Sequence, residues 1–166
     1  MNNASVRLNT EKSRVEVEGR LIKLSYDFMY QYVKGAKKQI GNEKVYQFAI
    51  VTKNPDEDLK AEILAEYYGN ADEQYKPKWL KADAEEDENG NIVVNLKSKY
   101  DIKYFVRDPE SDDFICYNSL DDLTEAKGNL IGSQVTASIK CKEGAMYIVA
   151  LRFDKESVVT ADAYFE

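Results

Sequence analysis

The sequence lacks histidine entirely and has only two cysteines and three prolines among its 166 residues. Without histidine, Ser-His-Asp and Cys-His catalysis, histidine-based zinc or iron sites and the usual general base near neutral pH are excluded. Only carboxylate or lysine chemistry is left, so we expect a protein that is not an enzyme and uses no metal or cofactor. Cys116 and Cys141 form no CxxC motif and are too few for a disulfide framework, which indicates reduced thiols, with Cys141 in the core.

Long apolar runs are also absent. No stretch reaches the length of a membrane span, and the polar start, MNNASVRLNT, is typical of neither a signal peptide nor an Arg-rich transit peptide. We therefore expect a soluble protein that acts where it is synthesised. An apolar fraction of 43% and an aromatic fraction of 11% predict one folded domain with a sizeable core.

The net charge of −7 conceals an uneven distribution along the chain. Residues 20–53 hold seven basic and two acidic side chains, whereas residues 54–91 hold four basic and twelve acidic ones. Residues 108–125 hold seven acids and no base. Because phosphate binding depends on local potential, a basic sheet flanked by acidic loops is compatible with an acidic protein. Acidic loops that serve only solubility explain the same counts equally well.

Apolar periodicity predicts several strands and one helix. Alternation over residues 14–24 and 44–53 predicts two strands, and a change of phase after Gly19 predicts a bulge or bend there. A capped apolar stripe over residues 54–70 predicts a helix, and residues 133–153 predict a closing hairpin. The pattern favours a small, mainly β, antiparallel barrel with one added helix and long acidic loops.

Residues 91–107 show the longest alternation in the chain. Apolar residues fall on one parity and basic residues on the other, with Asp101 as the single acid on the basic side. This pattern predicts a strand or hairpin with one wet, basic face. Trp79, in the polar segment before it, is either a stacking residue or a plug over the barrel end.

Four aromatic residues recur at every second position in residues 23–38, KLSYDFMYQYVKGAKK, and three lysines follow them. They are either a stacking surface or half-buried core, and residues 22–33 also fit a helix. The favoured interpretation is a strand that runs into a mobile basic loop.

Binding of single-stranded nucleic acid needs a basic path for phosphates and exposed aromatic faces for bases. The candidate binding residues combine the aromatic segment, the basic side of residues 91–107 and three basic residues of the closing hairpin. They are Tyr26, Phe28, Tyr30, Tyr32, Lys34, Lys37, Lys38, Lys97, Lys99, Lys103, Phe105, Arg107, Lys140, Lys142 and Arg152.

Nucleotide-binding and metalloprotease motifs are absent. Residues 85–96 are similar to an EF-hand loop, but Leu96 stands where the bidentate glutamate is required, so a hairpin turn at Asn89 and Gly90 is the simpler interpretation. The acid pairs at residues 112–113 and 121–122 fit a solvated surface better than a nuclease metal site.

The order of these segments resembles phage single-stranded DNA-binding proteins with an OB fold, the group of the T7-type replication protein. The resemblance rests on VEGRLIKLSY, KVYQFAIVTK and KYDIKYFVRD, and above all on the closing NLIGSQVTASIKCKEGAMYIVALRFDKESVV. It implies an OB-fold-like five-stranded antiparallel barrel over residues 1–160. It also implies sequence-independent binding of single-stranded DNA in phage replication and recombination, in the cytoplasm of the bacterial host.

The same resemblance implies a short acidic-aromatic C-terminal tail, residues 161–166, that contacts replication proteins. Asp162, Tyr164, Phe165 and Glu166 would form it, although the family's tail is longer and ends in an aromatic residue. A homodimer is also allowed. The alternative function is an acidic interaction protein or DNA mimic that inhibits a host nucleic-acid-binding enzyme, suggested by the acid clusters at residues 83–88 and 108–113.

Overall fold

The computed structural model describes residues 5–69 and 71–155 of the chain. It contains eight strands, two α-helices and two short 3-10 helices. The strands are β1 (Val6–Asn9), β2 (Arg14–Val33), β3 (Ala36–Lys53), β4 (Asn91–Ser98), β5 (Lys103–Arg107), β6 (Phe114–Tyr117), β7 (Gln134–Lys142) and β8 (Ala145–Lys155). The helices are α1 (Glu57–Tyr68) and α2 (Leu120–Lys127), and the 3-10 helices are Glu73–Tyr75 and Lys78–Leu80. No helix among these described residues is both long and apolar enough to cross a membrane.

All eight strands belong to one sheet, in the order β4-β3-β2-β7-β8-β5-β6, with β1 paired to the start of β2. The mainly β class is confirmed, and the pairing is consistent with an OB-like fold. Two details of the prediction are wrong. There are eight strands where five were expected, and β5 pairs with β8 in parallel, so the sheet is not wholly antiparallel.

The strand predicted over residues 91–107 is divided into β4 and β5. Ser98 turns the chain by accepting a hydrogen bond from the backbone N–H of Tyr100 and donating one to its carbonyl. β4 then pairs with β3, whereas β5 pairs with β8 and β6. Because only four residues separate β4 from β5, the two ends of the sheet are held near each other.

Asp101, in this break, does not lie on a basic face as predicted. It is half-buried, and its carboxylate accepts hydrogen bonds from the Tyr104 hydroxyl and the backbone N–H of Leu120. The second bond lies at the first turn of α2, where backbone N–H groups have no partner within the helix. Asp101 therefore joins the strand break to the start of a helix.

Helix α1 confirms its prediction, since the Asp56 side chain caps it by accepting from the N–H of Leu59. Helix α2 was not predicted, since most of it lies within the acidic residues 108–125, where a loop was expected. Its N-cap, Ser119, accepts from the N–H of Asp122, and only Leu123 of its eight residues is buried. The helix has only eight residues and two leucines, Leu120 and Leu123, among acidic neighbours, so its apolar pattern is too short to be distinguished from a loop.

The core packs the inner side of the sheet against α1, α2 and the segment between α1 and β4. Its largest fully buried side chains include Tyr104, Phe48, Phe153, Leu21 and Ile50. Cys141 is buried as predicted, and both cysteines are free thiols. Trp79 is 6% exposed within this core, so it plugs the core and offers no ring for stacking.

Gly19 is required by a close approach between strands. A Cβ atom at this position would lie 2.1 Å from the Val51 carbonyl oxygen of β3, a distance that no side chain allows. The register of β2 shifts shortly afterwards, between Leu21 and Lys23. The predicted irregularity is therefore confirmed, but the bulge falls at Ile22 and the glycine serves the crossing of two backbones.

Candidate nucleic-acid interface

The most prominent feature of the surface is a two-stranded extension of β2 and β3, residues 26–46, here called the arm. The strands stay paired to Val33 and Ala36 and are joined by Lys34 and Gly35, both at positive φ (52° and 79°). Such a two-residue turn matches the twist of a hairpin. Every residue from 31 to 44 is exposed. The expected mobile loop is wrong, because the segment is a paired hairpin. Its register shifts once, between Phe28 and Met29, where Gly41, Asn42 and Glu43 of β3 have no partner on β2.

One side of the arm, here called its front face, displays the predicted aromatic row. Successive cross-strand pairs on this face are Tyr26–Tyr46, Phe28–Lys44, Tyr30–Gln39 and Tyr32–Lys37. Tyr32 is 75% exposed, Tyr26 49% and Tyr30 39%, while Phe28 is half-buried. Three of the four aromatic rings therefore face solvent.

The front face continues the core-facing side of the same strands. At the body end, Leu21 pairs with Ile50 and Leu24 with Phe48, and these side chains pack in or against the core. The next pair on this side, Tyr26 and Tyr46, stacks with ring centroids 4.4 Å apart. The side of β2 and β3 that faces the core therefore remains apolar in the arm, beyond the point where the core ends.

Lysines lie over these rings. The Lys37 ammonium is 4.1 Å from the centre of the Tyr30 ring, and the Lys44 ammonium is 5.7 Å from the Phe28 ring and 6.0 Å from the Tyr26 ring. These distances permit cation–π attraction, which at exposed sites contributes about 0.5–1 kcal/mol. The front face therefore combines aromatic planes with ammonium groups in one row.

The two other predicted lysines of this segment lie elsewhere on the arm. Lys34 is in the turn, and Lys38 pairs with Gln31 on the opposite side. At the base of the front face, burial is the main cause that raises the pKa of Tyr46, and the nearby Asp101 carboxylate raises it further. Tyr100, beside Asp101, is 81% exposed.

The basic face predicted over Lys97–Arg107 is divided by the strand break. Lys97 lies on β4 next to Gln47 of β3, and Lys23 of β2 donates to the Gln47 amide oxygen at 2.9 Å. Lys99 is exposed in the break itself. These residues form a basic area on the outer side of β2, β3 and β4, at the base of the arm.

A second area lies on the outer side of β5, β6 and β8. Phe105 is in register with Arg152 and Cys116, and the Lys103 ammonium donates to the Asn118 side-chain oxygen at 2.7 Å. The guanidinium carbons of Arg107 and Arg152 lie 4.9 Å and 5.9 Å from the Phe114 ring centre. Arg152 also bonds Asp154 at 2.5 Å, so part of its charge is already compensated.

The last predicted pair, Lys140 and Lys142, lies near the end of the β7–β8 hairpin. Lys140 is in register with Arg14 of β2 and with Tyr147 of β8. The Lys142 ammonium is 5.9 Å from the Tyr147 ring centre, and this ring is 51% exposed. The candidate residues thus fall into four exposed areas, of which the arm contains the most aromatic surface.

Several residues of these areas were missed from the sequence. They are Lys23, Lys44, Tyr46, Tyr100, Phe114 and Tyr147. Lys44 and Tyr46 belong to the strand predicted at residues 44–53, and only the hairpin register brings them opposite Phe28 and Tyr26. Phe114 lay in an assumed acidic loop. Period-two alternation extended backwards from Phe48 would have placed Tyr46 and Lys44 on the core-facing side.

The acidic segments form turns and a groove. Asp87 accepts hydrogen bonds from the backbone N–H groups of Asn89 and Asn91, chiefly the latter, and these bonds lower its pKa. The hairpin turn at Asn89 and Gly90 is therefore confirmed. Asp83, Glu85, Glu86 and Asp87 line an open groove of about 650 Å³ beside Trp79, together with Lys78 and Lys81. No cluster of three potential metal ligands occurs within residues 5–69 and 71–155.

Comparison with known proteins gives a match of structure only. No protein-family model and no curated protein matches the chain. A structure of the single-stranded DNA-binding protein from bacteriophage Enc34 in complex with ssDNA matches 95% of this chain and 98% of its own, with a TM-score of 0.51 at 10% identity. A C-terminal truncation of the same phage protein matches 96% of this chain and 95% of its own, with a TM-score of 0.53 at 11% identity.

These values show a shared fold over nearly the full length of both chains. The structural neighbours are phage single-stranded DNA-binding proteins, which is the group that the sequence resembles. The predicted tail, Asp162, Tyr164, Phe165 and Glu166, lies outside the described residues.

Proposed function

We propose that this protein binds single-stranded DNA without sequence preference and that the front face of the arm is its stacking surface. The observation that supports this most is the exposed row of Tyr26, Phe28, Tyr30 and Tyr32 with lysine ammonium groups over its rings. Bases have apolar planes that stack on such rings, at about 1–3 kcal/mol per base, whatever their sequence. A duplex hides these planes, so single strands are preferred.

In this proposal, ammonium groups change partner when DNA binds. Lys37 and Lys44 lie over ring faces that bases would occupy, and their flexible stems let them move to phosphates of the same strand. Lys34 at the turn extends the basic path at one end of the arm, and Lys99 in the strand break extends it at the other. Lys23 and Lys97 add positive charge at the base on the outer side of the sheet. These lysines would contact phosphates, so binding at either end of the arm requires no hydrogen bonds to particular bases.

The two remaining areas give the strand room to continue. Arg107 and Arg152 around Phe114, with Lys103 and Phe105, offer phosphate contacts and one more ring edge. Lys140 and Lys142 offer charge at the end of the β7–β8 hairpin. We assign these areas to lengthening the binding path, so their loss is expected to weaken long oligonucleotides more than short ones.

The proposed biological role is coating of single strands during phage DNA replication and recombination, in the cytoplasm of the bacterial host. Support comes from the fold shared with a phage protein whose structure contains ssDNA. Replication proteins are the proposed partners of the tail at residues 161–166. The role requires no catalysis, so the oligonucleotide should stay intact in the presence of magnesium.

A titration of fluorescent oligo(dT) across salt concentrations tests the proposal. If roughly five phosphates are contacted, affinity should fall about 100-fold between 50 and 200 mM salt, because each contact releases a counterion. A duplex of equal length is the control and should bind far more weakly. No binding of oligo(dT) at low salt would falsify the proposal.

An acidic DNA mimic is the second candidate, and the groove lined by Asp83, Glu85, Glu86 and Asp87 is the observation in its favour. Charge reversal of Lys97, Lys99 and Lys103 separates the two functions. Loss of oligo(dT) binding supports the first. A DNA mimic would instead retain its partner after these changes and lose it on neutralisation of Glu85 and Glu86.

A further inference from the structure

The arm has a second exposed side, here called its back face, with a different composition. The cross-strand pairs on it are Asp27–Val45, Met29–Ile40, Gln31–Lys38 and Val33–Ala36. Where the front face is aromatic and basic, the back face is aliphatic, with one carboxylate at its base and one ammonium near its tip. Neither charge forms an ion pair with another described residue of the arm. Along β2, Asp27 is four residues from Gln31, the cross-strand partner of Lys38, whereas on β3 the unpaired residues 41–43 lie between Ile40 and Val45.

The aliphatic side chains of the back face are open to solvent. Val33 and Ile40 are each 43% exposed, and Met29 and Val45 are half-buried. All described residues from 31 to 44 are exposed, so no other part of the described chain covers the outer half of the arm. A two-stranded hairpin is marginally stable in water by itself and gains stability when an apolar face is covered.

We propose that the back face binds the back face of a second copy of this chain. A two-fold axis through the Met29–Ile40 pair and perpendicular to the strands places aliphatic side chains on aliphatic side chains. Because Asp27 and Gln31 are each two residues from Met29 on β2, it also places the Gln31–Lys38 pair of one copy over the Asp27 end of the other. Lys38 of each copy then lies within reach of Asp27 of the other copy, which gives two symmetric ion pairs, one on each side of the axis. Self-complementarity of this kind is the requirement of an isologous contact.

The size of the surface decides when the contact forms. Stable complexes bury about 800 Å² on each partner, and a two-stranded ribbon with four aliphatic side chains and one alanine offers much less. We therefore expect the contact to be weak between free chains. Two copies bound to one DNA strand have a high effective concentration, about millimolar for a short flexible tether, and this makes a weak contact effective. This step rests on the proposed function.

Binding to oligo(dT) of increasing length tests the contact in its DNA-dependent form. The first length that holds two copies, identified by native mass spectrometry, should bind its second copy at least fivefold more tightly than its first. Val33→Thr with Ile40→Thr keeps β-branched residues in the strands and adds two hydroxyls to the back face. This variant should bind a one-copy oligonucleotide as the parent does and lose the preference for the second copy.

Val93→Thr is the matched control, since Val93 is also 43% exposed but lies on β4. It should keep the preference. A parent protein without the preference, or a Val33→Thr/Ile40→Thr variant that retains it, overturns the inference while the proposed function stands. If the parent protein does not bind the one-copy oligonucleotide, the proposed function is overturned instead. The contact between copies is then tested only by the cross-linking experiment below.

Cross-linking without DNA tests the same contact independently. In a Cys116→Ser background, which removes the one exposed native thiol of the described residues, Ile40→Cys should form dimers with a short bismaleimide at high protein concentration. Val93→Cys should not. Adding Lys38→Asp should reduce the yield, and combining it with Asp27→Lys should restore it at unchanged net charge. Equal yields from positions 40 and 93 would contradict the proposed contact.

Discussion

The two ends of the β2–β3 ladder show the same alternation of side chains, but one side of the ladder is buried near the body and exposed in the arm. Near the body, the side that faces inward contributes Leu21, Phe48 and Ile50, which are at most 1% exposed. In the arm, the continuation of that side contributes Tyr30 and Tyr32, which are 39% and 75% exposed. The ladder shifts register at Ile22 and at residues 41–43, but the same side continues across the first shift, so burial of that side ends where the covering elements end. The front face of the arm, which no other element of the described chain covers, is therefore an apolar surface that a ligand can reach.

Phenylalanines at the two ends of the ladder give the strongest test of this comparison. Phe48→Ala should reduce the free energy of unfolding by about 3–5 kcal/mol, because a buried ring is lost and a cavity remains. Phe28→Ala, in the arm, should cost less than about 1 kcal/mol, since its ring is half in water already. Urea unfolding measures both. Equal losses would show that the arm is part of the cooperative core.

Gly19→Ala should have the next largest effect. The new methyl group would lie against the Val51 carbonyl, so the β2–β3 crossing must open, at a cost of about 2–3 kcal/mol. Arg20→Ala, at an exposed neighbouring position, is the control and should change stability by less than about 0.5 kcal/mol. A stable Gly19→Ala protein would mean that β2 and β3 cross less closely than described.

Alkaline pH should destabilise the body by a smaller, graded amount. Burial raises the pKa of Tyr68 to about 12 and that of Cys141 to about 11, and it also raises the pKa of Tyr104. Below about pH 7.5 these groups hold their protons in the folded and unfolded states alike. As pH rises further, the unfolded chain ionises first, so stability falls with increasing pH.

Urea midpoints at pH 8, 9.5 and 11 measure this effect. Tyr68→Phe removes one of the three groups and should make the decline shallower. A midpoint that stays constant up to pH 11 would contradict the burial of these groups.

The fold class was readable from the sequence because alternation and caps are local signals. Helix α1, the turn at Asn89–Gly90 and the buried Cys141 follow from capping, turn chemistry and parity. The break at residues 99–102 does not, because Lys99 and Asp101 continue the alternation while Ser98 and Asp101 form hydrogen bonds that end it. Parallel pairing of β5 with β8 is a long-range contact with no local signature.

The site was only half readable for a related reason. The alternation of residues correctly placed the aromatic side chains of the arm on one side of the strand. It does not indicate whether other elements of the fold cover that side. Trp79 shows the converse case, since a polar neighbourhood in sequence hides a ring that the fold buries. Lys44 and Tyr46 became part of the surface only through the register with Phe28 and Tyr26.

The central claim, that the uncovered front face of the arm binds bases, is tested most directly by removing its two outermost rings. Tyr30→Ala with Tyr32→Ala should weaken oligo(dT) binding at least tenfold, at ~1–3 kcal/mol per stacked base, and leave the urea midpoint unchanged. Tyr75→Ala, at a tyrosine 66% exposed outside the arm, should bind as the parent does. Parent-like affinity in the double variant would contradict the claim.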